Sequence, residues 1–427
     1  MKLARSHSSN GQASRSMSTL ILTALAAAIL LSGCGGGGGA DTKTGSGGTG
    51  DPNAPADALI ASGPLSSVGV SAIGATGLDD RAATIFINTQ GGQSFNALKL
   101  GMVAEVTGTI PATSTSTTAG TATNLNVQSA VSGSVTRVDV ANQRFSIGFD
   151  PGVGFVTVQI DQNTIFEGLN SLANLTGADR VEVYGIAQPG SNSILATRLI
   201  VLPATTGKPV EFLGVATNVA AFQFALPGVT VSTAGVTSVT TPTGSVPGTS
   251  SIVESTRVRV GGTLTGIGNR TGDIIQYTID ANKLVAGIPI VRNDNSIIVL
   301  DGIVQSLGAN GRFRLNDTDV ETSAANAALA TVGSRVQVKG RKTAGVLAAT
   351  DFRRIAAGER IQYIVQGDIA NFVSPANFTV RGESINASTA AYVGGTAASL
   401  ANGRSVRVKA QAIAGHLEAI EVSFATQ

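Results

Sequence analysis

The chain has 427 residues, a length that suits about two to four ordinary domains or a larger number of small ones. Glycine is abundant at 53 residues, tryptophan is absent, and 13% of residues are charged against 42% hydrophobic. That charge is too low for a charge-driven disordered chain, and the apolar content is enough to build cores. One cysteine and two histidines exclude disulfide frameworks and zinc clusters and leave almost nothing for cysteine–histidine catalysis.

Residues 1–33 read as a leader. Lys2, Arg5 and Arg15 are its only charged side chains, residues 19–31 (TLILTALAAAILL) are apolar, and Leu31-Ser32-Gly33-Cys34 follows. The apolar run is short for a membrane span and fits a signal-peptide core. The ordered series of basic start, apolar run and small residues before a cysteine resembles the lipobox of bacterial lipoproteins. The resemblance implies cleavage before Cys34, lipidation (palmitate included) on Cys34, and anchoring to a membrane of the bacterial cell envelope. Gly35 stands where an aspartate is associated with inner-membrane retention, which favours the outer membrane. Cleavage removes three of the 29 basic residues and none of the 27 acidic ones, leaving 26 against 27. Net charge therefore gives no support to nucleic-acid binding.

Residues 34–58 are rich in Gly, Thr, Asp and Pro and read as a flexible tether with a typical span of about 25–30 Å. The remainder repeats. A unit opens with V-x-G-x-V/I, continues through a short strand with a central Phe, reaches L-x-x-G-x-x-V-x-V and closes with a last strand. One copy runs from Leu300-Asp301-Gly302-Ile303-Val304 through Phe313 and Val332-Gly333 to Val336-Gln337-Val338 and Leu347. A second contains Val131-Ser132-Gly133, Phe145, Leu175-Thr176-Gly177 and Val181-Glu182-Val183; the last contains Val365-Gln366-Gly367, Phe378, Leu400 to Gly403 and Val406-Arg407-Val408. Two degenerate copies, one swollen by an insert near residues 240–251, complete five units. Their bounds are 59–129, 130–205, 206–290, 295–358 and 359–427.

Alternation such as V-R-V-K makes each strand apolar on one face, as in half-buried antiparallel sheets. The glycine of V-x-G reads as a bulge or sharp bend. The Ala-rich stretches 321–329 and 388–400 allow one or two helical turns, with Gly333 and Gly403 at the exit. The expected fold is all-β: tandem small antiparallel barrels of the OB type, each closed so that no edge is left exposed. Units of this kind are expected to unfold separately, so that damage at Gly333 stays within its own unit. The repeat behind a lipobox resembles bacterial lipoproteins that carry tandem copies of a small β domain, catalogued as domain of unknown function 5666. That resemblance implies an OB-like fold and an envelope location and supplies no catalytic residues.

Reactive groups are sparse. His416 is the only histidine after cleavage and falls in the turn before the last strand, so a turn role is expected rather than general-base catalysis. No nucleophile elbow, phosphate loop or H-E-x-x-H occurs, and no cofactor and no metal is expected. Asp317, Asp319 and Glu321 alternate; in an extended strand they would share a face that either stays solvated or offers oxygens to calcium. The segments at Asp161-Gln162-Asn163-Thr164 and Asp280-Ala281-Asn282-Lys283 read as turns. The four tyrosines, Tyr184, Tyr277, Tyr363 and Tyr392, are too few for a stacking platform for sugar or single strands, while Phe145, Phe313 and Phe378 occupy core positions.

The expected function is a non-enzymatic, lipid-anchored binding protein whose partner is another envelope protein or polymer, contacted by loops such as 110–121 and 240–251. An envelope hydrolase with a site between units is the alternative, as is a structural spacer or adhesin. Lipid anchoring makes a direct prediction. Palmitate labelling and globomycin-sensitive processing both disappear in Cys34→Ala, and labelling that survives the substitution removes the anchor.

Overall fold

The computed structural model describes residues 58–424 apart from 74–75, 81, 89–90, 111–117, 151–152, 191, 204–209, 227–228, 242–243, 255, 272–273 and 287–293. The leader, Cys34 and nearly all of the tether lie outside the described residues, as does most of the loop at 110–121. Among the described residues no helix is long and apolar enough to cross a membrane.

The strands form five small barrels: I (59–127), II (131–202), III (210–286), IV (297–354) and V (363–424). Barrel IV shows the plan. Its five strands are Ile297–Leu307, Arg312–Leu315, Thr318–Glu321, Arg335–Thr343 and Val346–Arg354. The first pairs with the second and the fourth, the second with the third, and the fourth with the fifth, all antiparallel. The third closes the barrel by pairing with the fifth in parallel, Val320 opposite Leu347. This closed circuit with one parallel contact is the OB arrangement. Barrels I, II and V repeat it. Barrel III does so with a first strand broken into Val210–Val215 and Thr217–Ala220 around buried Ala216.

The glycines of V-x-G stand where the first strand bends across the barrel. The register breaks two or more residues later, between Val135 and Arg137 in barrel II and between Val304 and Ser306 in barrel IV. What keeps a side chain out is the chain lying on top: a Cβ on Gly302 would sit 2.2 Å from Asn316 Oδ1, and one on Gly133 2.7 Å from Ile147 Cγ2. A bulge lies instead in the fourth strand, at Gly185 in barrel II and Gly340 in barrel IV, where a Cβ on Gly340 would meet the Ala348 carbonyl at 2.2 Å.

The Ala-rich stretches are less helical than expected. Only Ala324–Ala327 forms an α turn, capped by Ser323, because Glu321 still belongs to the third strand. Residues 388–400 are shared between the strand Ala391–Val393 and the 3-10 turn Ala397–Ser399. Gly333 and Gly403 have φ of 85° and 80°. Each donates its N–H to the first strand, to Val304 and Ile369, and so pins the turn to the barrel. The insert near residues 240–251, expected as a loop, is a hairpin of Ser238–Thr241 and Gly244–Pro247 that adds to the last strand of barrel III. Asp280, expected in a turn, lies inside the strand Ile274–Ala286 opposite Thr263.

The barrels are not beads on a string: strand pairing runs from one to the next. A bent first strand pairs with the fourth strand along one half and the second strand along the other, which leaves one edge of each half free. Neighbouring barrels take up those edges. The first strand of barrel I, Leu59–Val68, pairs in parallel with the first strands of barrels IV and V, Ala61 opposite Val299 and Ser67 opposite Ile364. The first strands of barrels II and III pair antiparallel at Val131 and Phe212. Barrels I, IV and V thus share one 17-stranded sheet, and II and III share a 14-stranded one. The hydrophobic clusters follow: barrels I and V share one that takes in Ile165 and Tyr184 of barrel II, and barrels II and III share another.

Candidate functional site

Charged and amide side chains sit at the junctions between barrels. Arg198, on the last strand of barrel II, is 2% exposed. Its Nη1 donates to both Glu383 oxygens of barrel V at 3.1 Å and to the Leu100 carbonyl of barrel I at 3.0 Å, while Nη2 donates to Glu167. Glu383 also accepts from the Leu100 N–H at 2.8 Å. Thr197 donates to the Gly101 carbonyl at 2.5 Å. The L-x-x-G turn of barrel I, Leu98-Lys99-Leu100-Gly101, is therefore gripped by barrels II and V together. Burial opposes the charge on Arg198, but the carboxylates of Glu383 and Glu167 outweigh it and hold its pKa above the ordinary arginine value. Burial pushes Lys99 the other way, below the ordinary lysine range.

Two further clamps hold the connections between barrels. Arg259 of barrel III donates to the backbone and hydroxyl of Ser129, both at 2.9 Å, and to Asn88 at 3.2 Å, fastening the link from barrel I to barrel II. Its Nε donates to Glu211 at 2.8 Å, and Lys283 reaches the same carboxylate at 2.9 Å. Burial raises the pKa of Glu211, but those two hydrogen bonds prevail and hold it below the ordinary carboxylate range. The stability this group supplies is therefore present above that range and is lost as pH falls through its folded value. Asn163 of barrel II takes the Ile361 N–H at 2.8 Å and donates to the Glu359 carbonyl at 2.9 Å, which fastens the link from barrel IV to barrel V. The Asp161 turn is present as expected, with the Asn163 N–H on Asp161 at 2.8 Å. Its exit, however, is a buried docking point, closed by Tyr363 donating to the Asn163 carbonyl at 2.8 Å.

Fastened in this way, barrels I to IV enclose a cleft of about 1010 Å³. Aliphatic side chains such as Val103, Ile186 and Leu226 line it together with Asn126, Gln128 and Gln305. Arg257 of barrel III crosses it, donating to Glu105 of barrel I and lying 3.8 Å from Asp317 of barrel IV. A smaller pocket of about 260 Å³ lies between barrels II and V and is lined by Glu167, Arg198, Glu383 and His416.

His416 begins the last strand, is exposed, and donates from Nε2 to the Asn170 carbonyl at 3.0 Å. The three acidic residues of barrel IV do not form the row that an extended strand would give. Asn316 and Asp317 make the two-residue turn of a hairpin, both with positive φ, as a mirror-image hairpin turn requires. Asp317 therefore leaves the strand face toward Arg257, while Asp319 pairs with Arg314 and Glu321 with Arg312. Among the described residues no cluster of three His, Cys, Asp or Glu side chains could hold a metal ion. Phe145, Phe313 and Phe378 are buried. Tyr184 and Tyr363 are also buried, which raises their pKa values. Tyr392 is half-buried on the Ala387 carbonyl at 2.7 Å, and the side chain of Tyr277 lies outside those described.

Sequence reasoning passed over Arg198, Glu383, Arg259 and Asn163. A signal was present in the alignment of the copies. Arg198 stands where barrels IV and V have Asp351 and Glu421, and Glu383 stands where barrel IV has Thr318.

The family model for a domain of unknown function (DUF5666) matches residues 132–199 and 366–423. These are barrels II and V, the two that meet at Arg198 and Glu383. No curated protein and no solved structure matches the chain.

The Arg198 clamp yields a stability prediction. Glu383→Ala leaves a buried guanidinium short of a partner and lowers the unfolding free energy by about 3–5 kcal/mol, whereas Arg198→Met with Glu383→Leu recovers most of the loss. Urea unfolding of the single and double variants measures both, and a single variant that unfolds like the parent contradicts the clamp.

Proposed function

We propose that this chain, which carries two copies of the DUF5666 domain, is a non-enzymatic binding protein, held by lipid on Cys34 at the bacterial envelope, in the outer membrane, and taking its ligand in the cleft among barrels I to IV. The observation that carries the reading is the cleft itself. Its walls come from four barrels fixed to one another by strand pairing and buried clamps, and its size of about 1010 Å³ matches a preformed ligand site. A ligand that enters walls already in place avoids the ordering cost of closing them.

The cleft also replaces the two loops as the favoured contact surface. The insert at 240–251 is committed to a hairpin on barrel III. A hydrolytic site would need a carboxylate pair free to exchange protons with a substrate, and Glu105 and Asp317 of the cleft both face Arg257.

The test is capture from the native envelope by the lipidated protein. Ser193→Trp and Val215→Trp, which put indoles at two positions lining the cleft, are expected to abolish capture, and deletion of the 238–247 hairpin to leave it intact. Capture that ignores both tryptophans and fails with the deletion moves the site to the hairpin and overturns the proposal.

A further inference from the structure

We infer that a second copy of this chain docks on barrel IV, the two last strands pairing antiparallel along Asp351-Phe352-Arg353. The comparison of the five barrels points to this edge. Opposite a fourth-strand valine, the last strand carries Leu125, Leu199, Leu284, Phe352 and Val422 in barrels I to V. In four of the barrels a further short strand runs in parallel along that stretch. Ile85 lies opposite Leu125, Phe166 opposite Leu199 and Tyr392 opposite Val422, while in barrel III Thr240 lies one residue further on, opposite Val285. Leu125, Leu199, Leu284 and Val422 are at most 1% exposed.

Barrel IV has no such strand among the described residues. Its third and fourth strands are joined by 13 residues, 322–334, where barrel V has 18 (387–404) and barrel II has 20 (160–179). The shorter connection is taken up by the α turn Ala324–Ala327. The third strand covers the last strand only as far as Ala348, and residues 351–353 pair with the fourth strand alone. A row of backbone N–H and C=O groups is therefore left open on the other side, and what matches such a row is an extended strand. Phe352 marks the same gap. It is half-buried where its four counterparts are closed over, although its ring meets that of Phe313 edge-on at 6.1 Å between centroids.

The charges on the edge choose the occupant. Asp351 and Arg353 are exposed and stand on the face opposite to Phe352. In an antiparallel pair centred on Phe352, Asp351 of each copy lies opposite Arg353 of the other, and the two Phe352 side chains lie next to each other. Opposite charges and aromatic pairs in such positions stabilise antiparallel strands. The Asp351 carboxylate has no hydrogen-bond or ion-pair partner among the described residues. Arg353 gives Nη1 to Gln337 and Nη2 to Glu359, which leaves Nε for an incoming carboxylate. The tether does not suit the edge, because residues 35–57 contain no Val, Ile, Leu, Met or aromatic residue to lie beside Phe352. Joining barrels along strand edges is already how this molecule is held, at Ala61 with Val299 and at Phe212 with Val131. The edge is not part of the cleft lining, so the docking stands apart from the ligand site.

The experiment is sedimentation equilibrium of the purified mature protein. A short edge makes a small interface, and interfaces under about 1,200 Å² are weak, so dimers are expected at about 100 μM rather than at nanomolar concentration. Asp351→Arg sets like charges against each other and weakens the dimer about tenfold, and Arg353→Asp does the same. An equimolar mixture of the two variants restores opposite charges across the pair and dimerises like the parent. If loss of the Glu359 contact unfolds Arg353→Asp, hydrogen exchange on the parent decides: the amides of residues 351–353 gain protection as concentration rises. A parent that stays monomeric at about 1 mM overturns the inference. So does a dimer that Asp351→Arg leaves intact, or one that forms without protecting residues 351–353.

Discussion

Arg198 sets the terms for the rest of the molecule. A guanidinium removed from water is tolerable only with its carboxylates in place. Here they come from two barrels, Glu167 of barrel II and Glu383 of barrel V, while the Leu100 carbonyl of barrel I accepts a further hydrogen bond from Nη1. Pulling any one of the three barrels away exposes an unpaired buried charge or a stripped carbonyl. Arg259 and Asn163 apply the same constraint to the connections between barrels. A set of tiny cores, each too small for much stability alone, becomes one body because their polar seams cannot be opened cheaply.

That constraint also explains what a linear reading of the sequence reaches and what it misses. The barrels are legible because their signals are local. V-R-V-K and V-E-V-Y alternate with the period of a strand, and recurrent glycines mark where one strand lies across another. The closed circuit follows from five short strands and one turn in about 65 residues. The clamps are not legible in the same way, because each partner looks like an ordinary surface residue. Arg198 and Glu383 are separated by 185 positions, and no spacing rule connects them. Their one mark is a departure from two of the other copies, a basic residue where the last strands of barrels IV and V are acidic. Asp317 shows the opposite failure. Its alternation with Asp319 and Glu321 is real, but a two-residue turn with positive φ removes it from the strand face, and the three carboxylates are taken up by Arg257, Arg312 and Arg314.

The same seams bear on function. The cleft among barrels I to IV exists only while the barrels hold their places, so the groups that fasten them are the groups that shape it. Arg257 does both, tying barrel III to barrel I and spending the negative charge of the cleft. The rest of the lining is mostly aliphatic and amide side chains, with Arg144 and Asp301 paired to residues outside it. The matched copies of DUF5666, barrels II and V, meet away from this cleft at the smaller pocket. Repetition has supplied interchangeable barrels, and departures between copies have supplied the means to fasten them together.

Whether the five barrels behave as one cooperative body is tested most directly by hydrogen exchange across urea unfolding of the mature protein. In one cooperative body the slowest amides of all five barrels lose protection together, at a single free energy of opening. Separate openings, with barrel III or barrel IV exchanging fully while the other barrels keep their protection, would show modules that merely touch and would contradict it.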